Sequence, residues 1–408
     1  MQFHPSFSRA GLLALAVAAG DAQAAEWRGL LDVRAVAADA PRSFLDGGLG
    51  KTRSEDGLQL GQAVLRGDAD LSDTISGTLE LSADDRHNGV VDVREAWLGW
   101  SPLPTGAWKT RVKVGQFFAP SSVEIDYDGI GWTPKRTISS SAINSWIGEE
   151  LRTNGVEWSG RRLGRHAGAR YDVGLVAAVF NGNDPTGTLL AWRGWSISDR
   201  IAGRNEALRL ADLPVYRADG DIPRQSRTIH PFRELDGRLG YYVGANFNLG
   251  ARLELAALRY DNRADPLVVK NGQYAWRTRF DHLSMVLRPG GGWEVLAQAM
   301  RGDTLMGNNA VSLDFQSWYA LLSHPVGPGT LAARYDRFST SEHDALPGDP
   351  NNETGHCLAL AYSLPLTDAL SLITEALRIS SERAARTLIG ERRAQRERSV
   401  TVALRRRF

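Results

Sequence analysis

The sequence predicts an all-β fold, a transmembrane antiparallel β-barrel of about 16 strands with short periplasmic turns and long extracellular loops. Apolar and polar residues alternate in runs of about 10 to 13 residues, as in strands with two different faces. Breaks rich in Gly, Pro, Asp or Asn separate the runs, and short breaks alternate with long ones. Outer-membrane barrels have this layout because one set of connections must cross the membrane during insertion.

The N-terminal segment predicts export. Arg9 gives a basic start, an apolar run follows from Gly11 to Ala19, and Ala22 and Ala24 form an A-x-A cleavage signature. The apolar run is shorter than the roughly 20 residues of a membrane-spanning helix. We therefore expect residues 1–24 to be a cleaved signal peptide and residues 25–408 to form a barrel in a bacterial outer membrane.

The order of the breaks sets the strand count. The short breaks lie at 72–73, 102–107, 162–167, 250, 289–291, 325–329 and 365–368. The longer breaks lie at 38–57, 87–90, 118–151, 181–237, 262–275, 303–310, 340–354 and 382–396. Seven short and eight long breaks separate 16 strands, an even number that returns both termini to the side of the tight turns.

Charges on the inner face would govern selectivity, because a barrel of roughly 16 to 18 strands leaves an aqueous channel. An Arg or Lys on the lipid face would cost about 2 to 4 kcal/mol at the membrane midplane. We therefore assign the charged side chains at alternate strand positions to the lumen. Cations outnumber anions among them. The candidate pore-lining residues are Arg34, Arg66, Arg111, Lys113, Lys135, Arg136, Arg279 and Arg334.

The third long break, 118–151, is a candidate constriction loop folded into the lumen. Its carboxylates Glu124, Asp126 and Asp128 precede the cations Lys135 and Arg136. Opposed charges of this kind would produce a transverse field across a channel. An exposed loop of mixed charge is the alternative.

The residues predict no catalytic group, metal or cofactor. The histidines show no HExxH or comparable ligand pair, and apolar neighbours of Cys357 favour a buried side chain over a catalytic thiol. Solvated charge is favoured over a calcium site for the acidic pairs Asp84-Asp85 and Glu149-Glu150. The formal net charge of +1 argues against nucleic acid as a partner.

The C-terminal region predicts partners in the outer membrane. The last strand, 399–408, ends in Phe408 and resembles the signal that the barrel assembly machinery recognises. Outer-membrane lipid would surround the wall. The arginines of the break at 382–396 would meet lipopolysaccharide phosphates through charge-assisted hydrogen bonds, with solvated mixed charge as the alternative.

Four short motifs resemble the phosphate-selective porin family: VDVREAWLGW at 91–100, VKVGQFFAP at 112–120, NGVEW at 154–158 and VFNGND at 179–184. The resemblance extends loosely over most of the mature chain. It implies a 16-stranded, usually trimeric porin whose third loop narrows the channel and whose basic side chains guide anions. Lys113, Lys135 and Arg136 match that region by their position relative to GQF. The chain departs from the family's basic constriction, because it has only five lysines and several loop carboxylates. We therefore expect a weaker preference for anions than in that family.

The sequence thus favours a homotrimeric porin, and no enzyme, for passive diffusion of small hydrophilic solutes or anions, with phosphate as a candidate solute. Two alternatives belong to other classes. One is a barrel enzyme acting on lipid, in which Ser and His meet on the outer wall. The other is a surface or adhesion barrel without a channel.

Overall fold

The computed structural model describes residues 25–53, 56–83, 91–125, 130–344 and 346–408. The predicted signal peptide, the break at 87–90, the pair Asp84-Asp85 and the loop carboxylates Asp126 and Asp128 lie outside these residues.

Sixteen antiparallel strands form one closed barrel, which confirms the predicted fold class and strand count. The strands are β1 (Glu26–Asp39), β2 (Gly57–Asp70), β3 (Ile75–Ala83), β4 (Asp92–Trp100), β5 (Trp108–Phe117), β6 (Thr153–Arg162), β7 (Asp172–Asn181), β8 (Gly240–Leu249), β9 (Leu253–Asp261), β10 (Arg277–Gly290), β11 (Trp293–Met306), β12 (Val311–Val326), β13 (Gly329–Glu342), β14 (Glu353–Pro365), β15 (Leu370–Arg383) and β16 (Ala394–Arg407).

The first and last strands close the sheet. β1 pairs with β16 from Leu30 opposite Arg407 to Asp39 opposite Arg398. The ladder continues past β16, because Gly29 and Phe408 exchange two backbone hydrogen bonds of 2.7 and 3.1 Å. Closure matters because an open edge would leave backbone donors and acceptors without partners in hydrocarbon.

Short turns and longer loops alternate along the chain as predicted, except that the connection 307–310, predicted as a long break, is shorter than the turn 163–171. The short turns lie at 71–74, 101–107, 163–171, 250–252, 291–292, 327–328 and 366–369, at what we call the turn end. The opposite, loop end carries the connections 40–56, 84–91, 118–152, 182–239, 262–276, 307–310, 343–352 and 384–393. The strands reach further into the loop end than expected. For example, the break predicted at 303–310 begins only at 307, because charged residues near the end of β11 still pair with β12.

The two faces of each strand differ in polarity. On β1 the side chains of Asp32 and Arg34 are buried inside the barrel, whereas Leu31 and Val33 are exposed on the outer wall. Exposed tryptophans, among them Trp27, lie near the turn end of the outer wall. This alternation is the one that a wall between lipid and an interior requires.

Two of the long loops enter the barrel. The connection 118–152 contains helix α1 (Ala142–Glu150), and the connection 182–239 contains helix α2 (Thr188–Trp192). Residues 137–152 and 182–203 are all buried. Two ribbons of two-residue strands pair 208–209 with 228–229 and 269–270 with 273–274. No helix in the described part of the chain is long and apolar enough to cross a membrane.

Substitution of Gly29 by alanine tests the packing at the closing seam. A Cβ atom at this position would overlap the outer end of the Phe408 ring. Because this ring is exposed and can turn aside, we expect Gly29→Ala to lower the free energy of unfolding by only about 1 kcal/mol. Urea unfolding of the refolded barrel, followed by its heat-modifiable gel band, measures the effect.

Gly106→Ala is the matched control, since no atom lies within 4 Å of a Cβ at that turn position. Equal stability of the two variants would contradict the close packing of Phe408 on Gly29.

Candidate pore interior

Open space lies inside the barrel at the turn end. Two cavities of about 680 and 600 Å³ share Arg111, Lys113 and Pro120 in their linings. One borders β2, β3 and β4, and the other borders β5, β6 and β7 and reaches β8 and β9. We call the two cavities together the vestibule.

Positive and negative charges are separated across the vestibule. The side of β5 and β6 presents Lys109, Arg111, Lys113 and Arg161 with one carboxylate, Glu157. The side of β1 to β4 presents Arg66 together with the four carboxylates Glu26, Asp68, Asp70 and Glu95. The two sides are neighbouring parts of the wall, because β4 pairs with β5, so the charge changes sign along the wall of the vestibule.

The cations of the vestibule differ in how they are paired. Arg66 lies 2.9 Å from Asp68 and 3.6 Å from Glu95, and Lys113 lies 3.1 Å from Glu157. Arg111 instead stacks over the Trp97 ring at 4.6 Å, with no carboxylate within ion-pair distance among the described residues. Lys109 is exposed and also has no carboxylate within ion-pair distance among the described residues, so Arg111 and Lys109 are the vestibule cations best placed to attract a mobile anion.

The connection 118–152 is fastened to the opposite wall by a buried ion pair. Arg334 of β13 donates to Glu124 at 2.7 Å, to Asp336 at 2.8 Å and to the carbonyl oxygen of Ser139 at 2.6 Å. Glu124 also accepts hydrogen bonds from the Ser141 backbone and hydroxyl groups, at the N-cap of α1. The charge of Arg334 is thus neutralised by the loop, and helix α1 starts where the loop is anchored.

The connection 182–239 is fastened to β1 in the same way. Asp199 accepts hydrogen bonds from Arg34 at 2.5 and 3.1 Å, and Arg34 also contacts Asp32 at 2.6 Å. Burial acts to raise the pKa of Asp199, but Arg34 and Arg53 hold it well below its ordinary range. The two loops are joined to each other, because Glu149 of α1 pairs with Arg193 at 2.5 Å and Arg200 at 3.1 Å.

Apolar side chains fill the space between the two loops and the wall. Trp146 of α1 packs edge-on against Phe280 and Phe315, at ring distances of 5.7 and 5.2 Å. Leu189 and Leu190 of α2 belong to the same buried cluster. In the part of the chain that the structure describes, the interior near the loop end is packed like the core of a soluble protein.

One carboxyl group in this packed region lacks a cation at ion-pair distance among the described residues. Glu150, at the end of α1, accepts hydrogen bonds from the Trp146 indole at 2.5 Å and the Leu189 backbone at 2.9 Å. Burial raises the pKa of Glu150 to about 7 despite these hydrogen bonds. The group thus changes charge near neutral pH at the contact between α1 and α2.

The structure separates seven of the eight predicted site residues into three groups. Arg66, Arg111 and Lys113 line the vestibule. On the connection 118–152, Lys135 is exposed and Arg136 pairs with Glu294 at 2.9 Å. Arg34 and Arg334 point inward, but the loops bury them, so they anchor loops and do not line water-filled space.

The prediction for Arg279 was wrong. On β10 the inward side chains are Thr278 and Phe280, which are buried, and Arg279 lies on the outer wall, 2.7 Å from Asp303. The prediction assumed that charge avoids the outer face. Near the loop end that assumption fails, since arginines and carboxylates of neighbouring strands neutralise each other there.

Two other groups of side chains contain residue types that could bind a metal or act in catalysis. Among the described residues one group of three carboxylates, Asp184, Glu234 and Asp236, has oxygen atoms within 4.8 Å of one another. Backbone N–H groups at 235 and 237 already donate to it, so its acceptors are partly used within the loop. On the outer wall His356 lies opposite Ser380, but no hydrogen bond joins their side chains in the described structure, as an activated nucleophile would need.

Known structures are similar to this barrel in fold. The chain is similar to a loop-deletion mutant of OmpT, an outer membrane protein of Vibrio cholerae, with 10% identity, a TM-score of 0.54 and coverage of 94% of this chain and 99% of that one. An anion-selective porin from Comamonas acidovorans gives 13% identity, a TM-score of 0.53 and coverage of 95% and 100%. The outer membrane channel DcaP of Acinetobacter baumannii gives 10% identity, a TM-score of 0.52 and coverage of 96% of this chain and 98% of that one. No family model and no curated protein matches the chain. At these identities the likeness concerns the fold alone.

The buried carboxyl of Glu150 predicts a pH dependence of stability. Because its pKa is higher in the folded chain, folding is favoured at low pH, and this contribution is lost as the pH rises from about 4.5 to about 7. We expect a loss of about 3 kcal/mol over this range, which Glu150→Gln removes. Urea unfolding in lipid vesicles at several pH values measures it.

Asp219→Asn, at an exposed position of the connection 182–239, is the control. A pH profile of Glu150→Gln that matches the original chain would contradict the assignment.

Proposed function

We propose that this chain is a porin-type channel of a bacterial outer membrane for passive diffusion of small hydrophilic solutes. The vestibule carries the proposal, because it is an open space inside a closed barrel, large enough to hold water, and presents charges of both signs. A closed barrel of this strand number has room for an aqueous channel. In this proposal the turn end faces the periplasm and the loop end faces the exterior.

Passage beyond the vestibule would depend on the two inner loops. Their anchors, Glu124 on Arg334 and Asp199 on Arg34, are buried ion pairs, and an apolar cluster lies between them. We infer that the loops hold the channel in a narrow state and that small displacements open it. Conductance would then be small and stepwise.

A weak preference for anions is part of the proposal. Lys109, Arg111 and Lys135 are cations that support it, since each is at least partly exposed and none has a carboxylate within ion-pair distance in the described structure. The acidic side of the vestibule limits the preference. Phosphate is one candidate solute, and its specific recognition would appear as block of the current.

The remaining expectations from the sequence belong to the same proposal. They are cleavage of residues 1–24, location in the outer membrane, assembly by the barrel assembly machinery, a homotrimer, contact with lipopolysaccharide and no enzymatic activity. The terminal Phe408 supports recognition during assembly, because it lies at the exposed end of the closing strand.

Ion selectivity of single channels tests the role of Arg111. In a planar bilayer with a KCl gradient, we expect the refolded chain to give stepwise currents with a reversal potential biased towards chloride. Arg111→Gln should lower the chloride-to-potassium permeability ratio by about twofold, because it removes a cation that has no carboxylate partner in the described structure.

Arg279→Gln removes the same charge from the outer wall and should leave the ratio unchanged. A cation-selective current, or equal effects of the two variants, would contradict the anion preference. Absence of any current from a folded barrel would contradict the channel itself.

Weakening the loop anchor should widen the channel. Arg334→Gln leaves Glu124 and Asp336 buried without their cation, at a cost of about 3 to 5 kcal/mol in unfolding free energy. We expect larger and more frequent conductance steps from this variant once its heat-modifiable band shows that the barrel has folded.

Arg238→Gln breaks an exposed pair with Asp265 and is the control, with an expected loss of about 1 kcal/mol or less. Unchanged conductance of a folded Arg334→Gln barrel would show that this anchor does not hold the channel narrow.

A further inference from the structure

The outer wall carries a basic groove near the loop end. A cavity of about 1380 Å³ crosses β12 to β16 on the outside of the barrel and reaches the end of β1. Its cationic lining consists of Arg337, Arg378, Arg392 and Arg396, all exposed. We call this surface the arginine groove.

The groove begins where the apolar part of the wall ends. On β13 the outward side chains change from Tyr335 to Arg337, and on β16 they change from Val400 to Arg398. On β14 the exposed Leu358 lies directly below His356. Several neighbouring strands therefore switch from apolar to basic side chains at one height, the height of lipid head groups in a membrane.

The charges of the groove lack local compensation. Elsewhere on the outer wall Arg259 lies 2.9 Å from Asp281 and Arg279 lies 2.7 Å from Asp303. Within the described ranges, neither Arg378 nor Arg396 has a carboxylate within ion-pair distance. Like charges that face each other across a sheet are destabilising, and the register places Arg378 directly opposite Arg398.

The carboxylates at the groove do not remove this excess. Glu382 is held by Arg393 at 2.7 Å, and Glu391 accepts from Gln395 at 2.9 Å. Asp39 lies directly opposite Arg398, so Arg398 has an acidic neighbour. In the described strand register, by contrast, Arg337, Arg378 and Arg396 have no carboxylate opposite them. A ligand that neutralises the groove must therefore supply negative charge from outside the chain.

We propose that the arginine groove binds the phosphate groups of a phosphorylated glycolipid in the outer leaflet of the membrane. The inference rests on the proposed function for the orientation of the barrel. Guanidinium groups bind phosphate through paired charge-assisted hydrogen bonds, and phosphate groups along the groove would neutralise Arg337, Arg378 and Arg396. The acyl chains would cover Tyr335, Leu358 and Val400, which a free phosphate ion would leave bare.

Lipid-dependent stability tests the proposal. The refolded full chain is placed in phosphatidylcholine nanodiscs that contain diphosphoryl lipid A, or lipid A from which both phosphates have been removed. We expect the diphosphoryl form to raise the unfolding temperature and the dephosphorylated form to leave it unchanged. This comparison uses the original chain, so it does not depend on the folding of a variant.

The triple variant R337Q/R378Q/R396Q removes the groove cations. Near a membrane surface each arginine contributes about 1 kcal/mol, so the apparent affinity for diphosphoryl lipid A should fall on the order of a hundredfold. The double variant R259Q/R279Q, which removes outer-wall arginines that are paired with carboxylates, should retain nearly full affinity.

Equal stabilisation by the two lipid A forms, or equal affinity of the triple variant and the original chain, would overturn the proposal. The outcome is separate from that of the channel proposal. A barrel that binds diphosphoryl lipid A but conducts no ions would support the groove as a binding site and contradict the channel. A barrel that conducts ions but does not distinguish the two lipid A forms would support the channel and contradict the groove.

Discussion

Pairing of β1 with β16 is the constraint on which the rest of the structure depends. A sheet of this length in hydrocarbon must have no edge, because unpaired backbone groups there would find no hydrogen-bond partner. Closure gives the sheet an inner and an outer face, so each strand must direct polar side chains inward and apolar side chains outward. The contact of Phe408 with Gly29 completes this seam at the turn end.

Closure also creates an interior that must be filled or wetted. At the turn end the interior is wet, and its charges are divided between a basic and an acidic side. Towards the loop end two inner loops replace water with an apolar cluster, and they neutralise the wall arginines that point at them. Removing one partner of such a buried ion pair leaves a buried charge with neither a counter-charge nor water around it, which costs free energy. The ion pairs therefore hold the loops strongly in place.

The barrel itself could be predicted from the sequence because strand alternation and break order are local patterns. The strand count and the order of turns and loops followed from them. The roles of Arg34 and Arg334 could not, since their partners Asp199 and Glu124 lie more than 160 residues away along the chain. Tryptophans within predicted loops, such as Trp146 and Trp192, were a signal of buried loops that the strand pattern did not use. Arg279 was misplaced because a strand near the loop end can carry charge on its outer face when the neighbouring strand supplies the opposite charge.

The central claim is that the interior has a wet vestibule and a packed region closed by the inner loops. Thiol accessibility in the folded, membrane-embedded protein tests it most directly, with the buried Cys357 replaced by alanine. A cysteine at Lys113, in the vestibule, should react with a small charged thiol reagent about tenfold or more faster than one at Leu190, in α2. Equal, fast reaction at both positions would contradict the account, because it would show that water fills the barrel where the structure places the two loops.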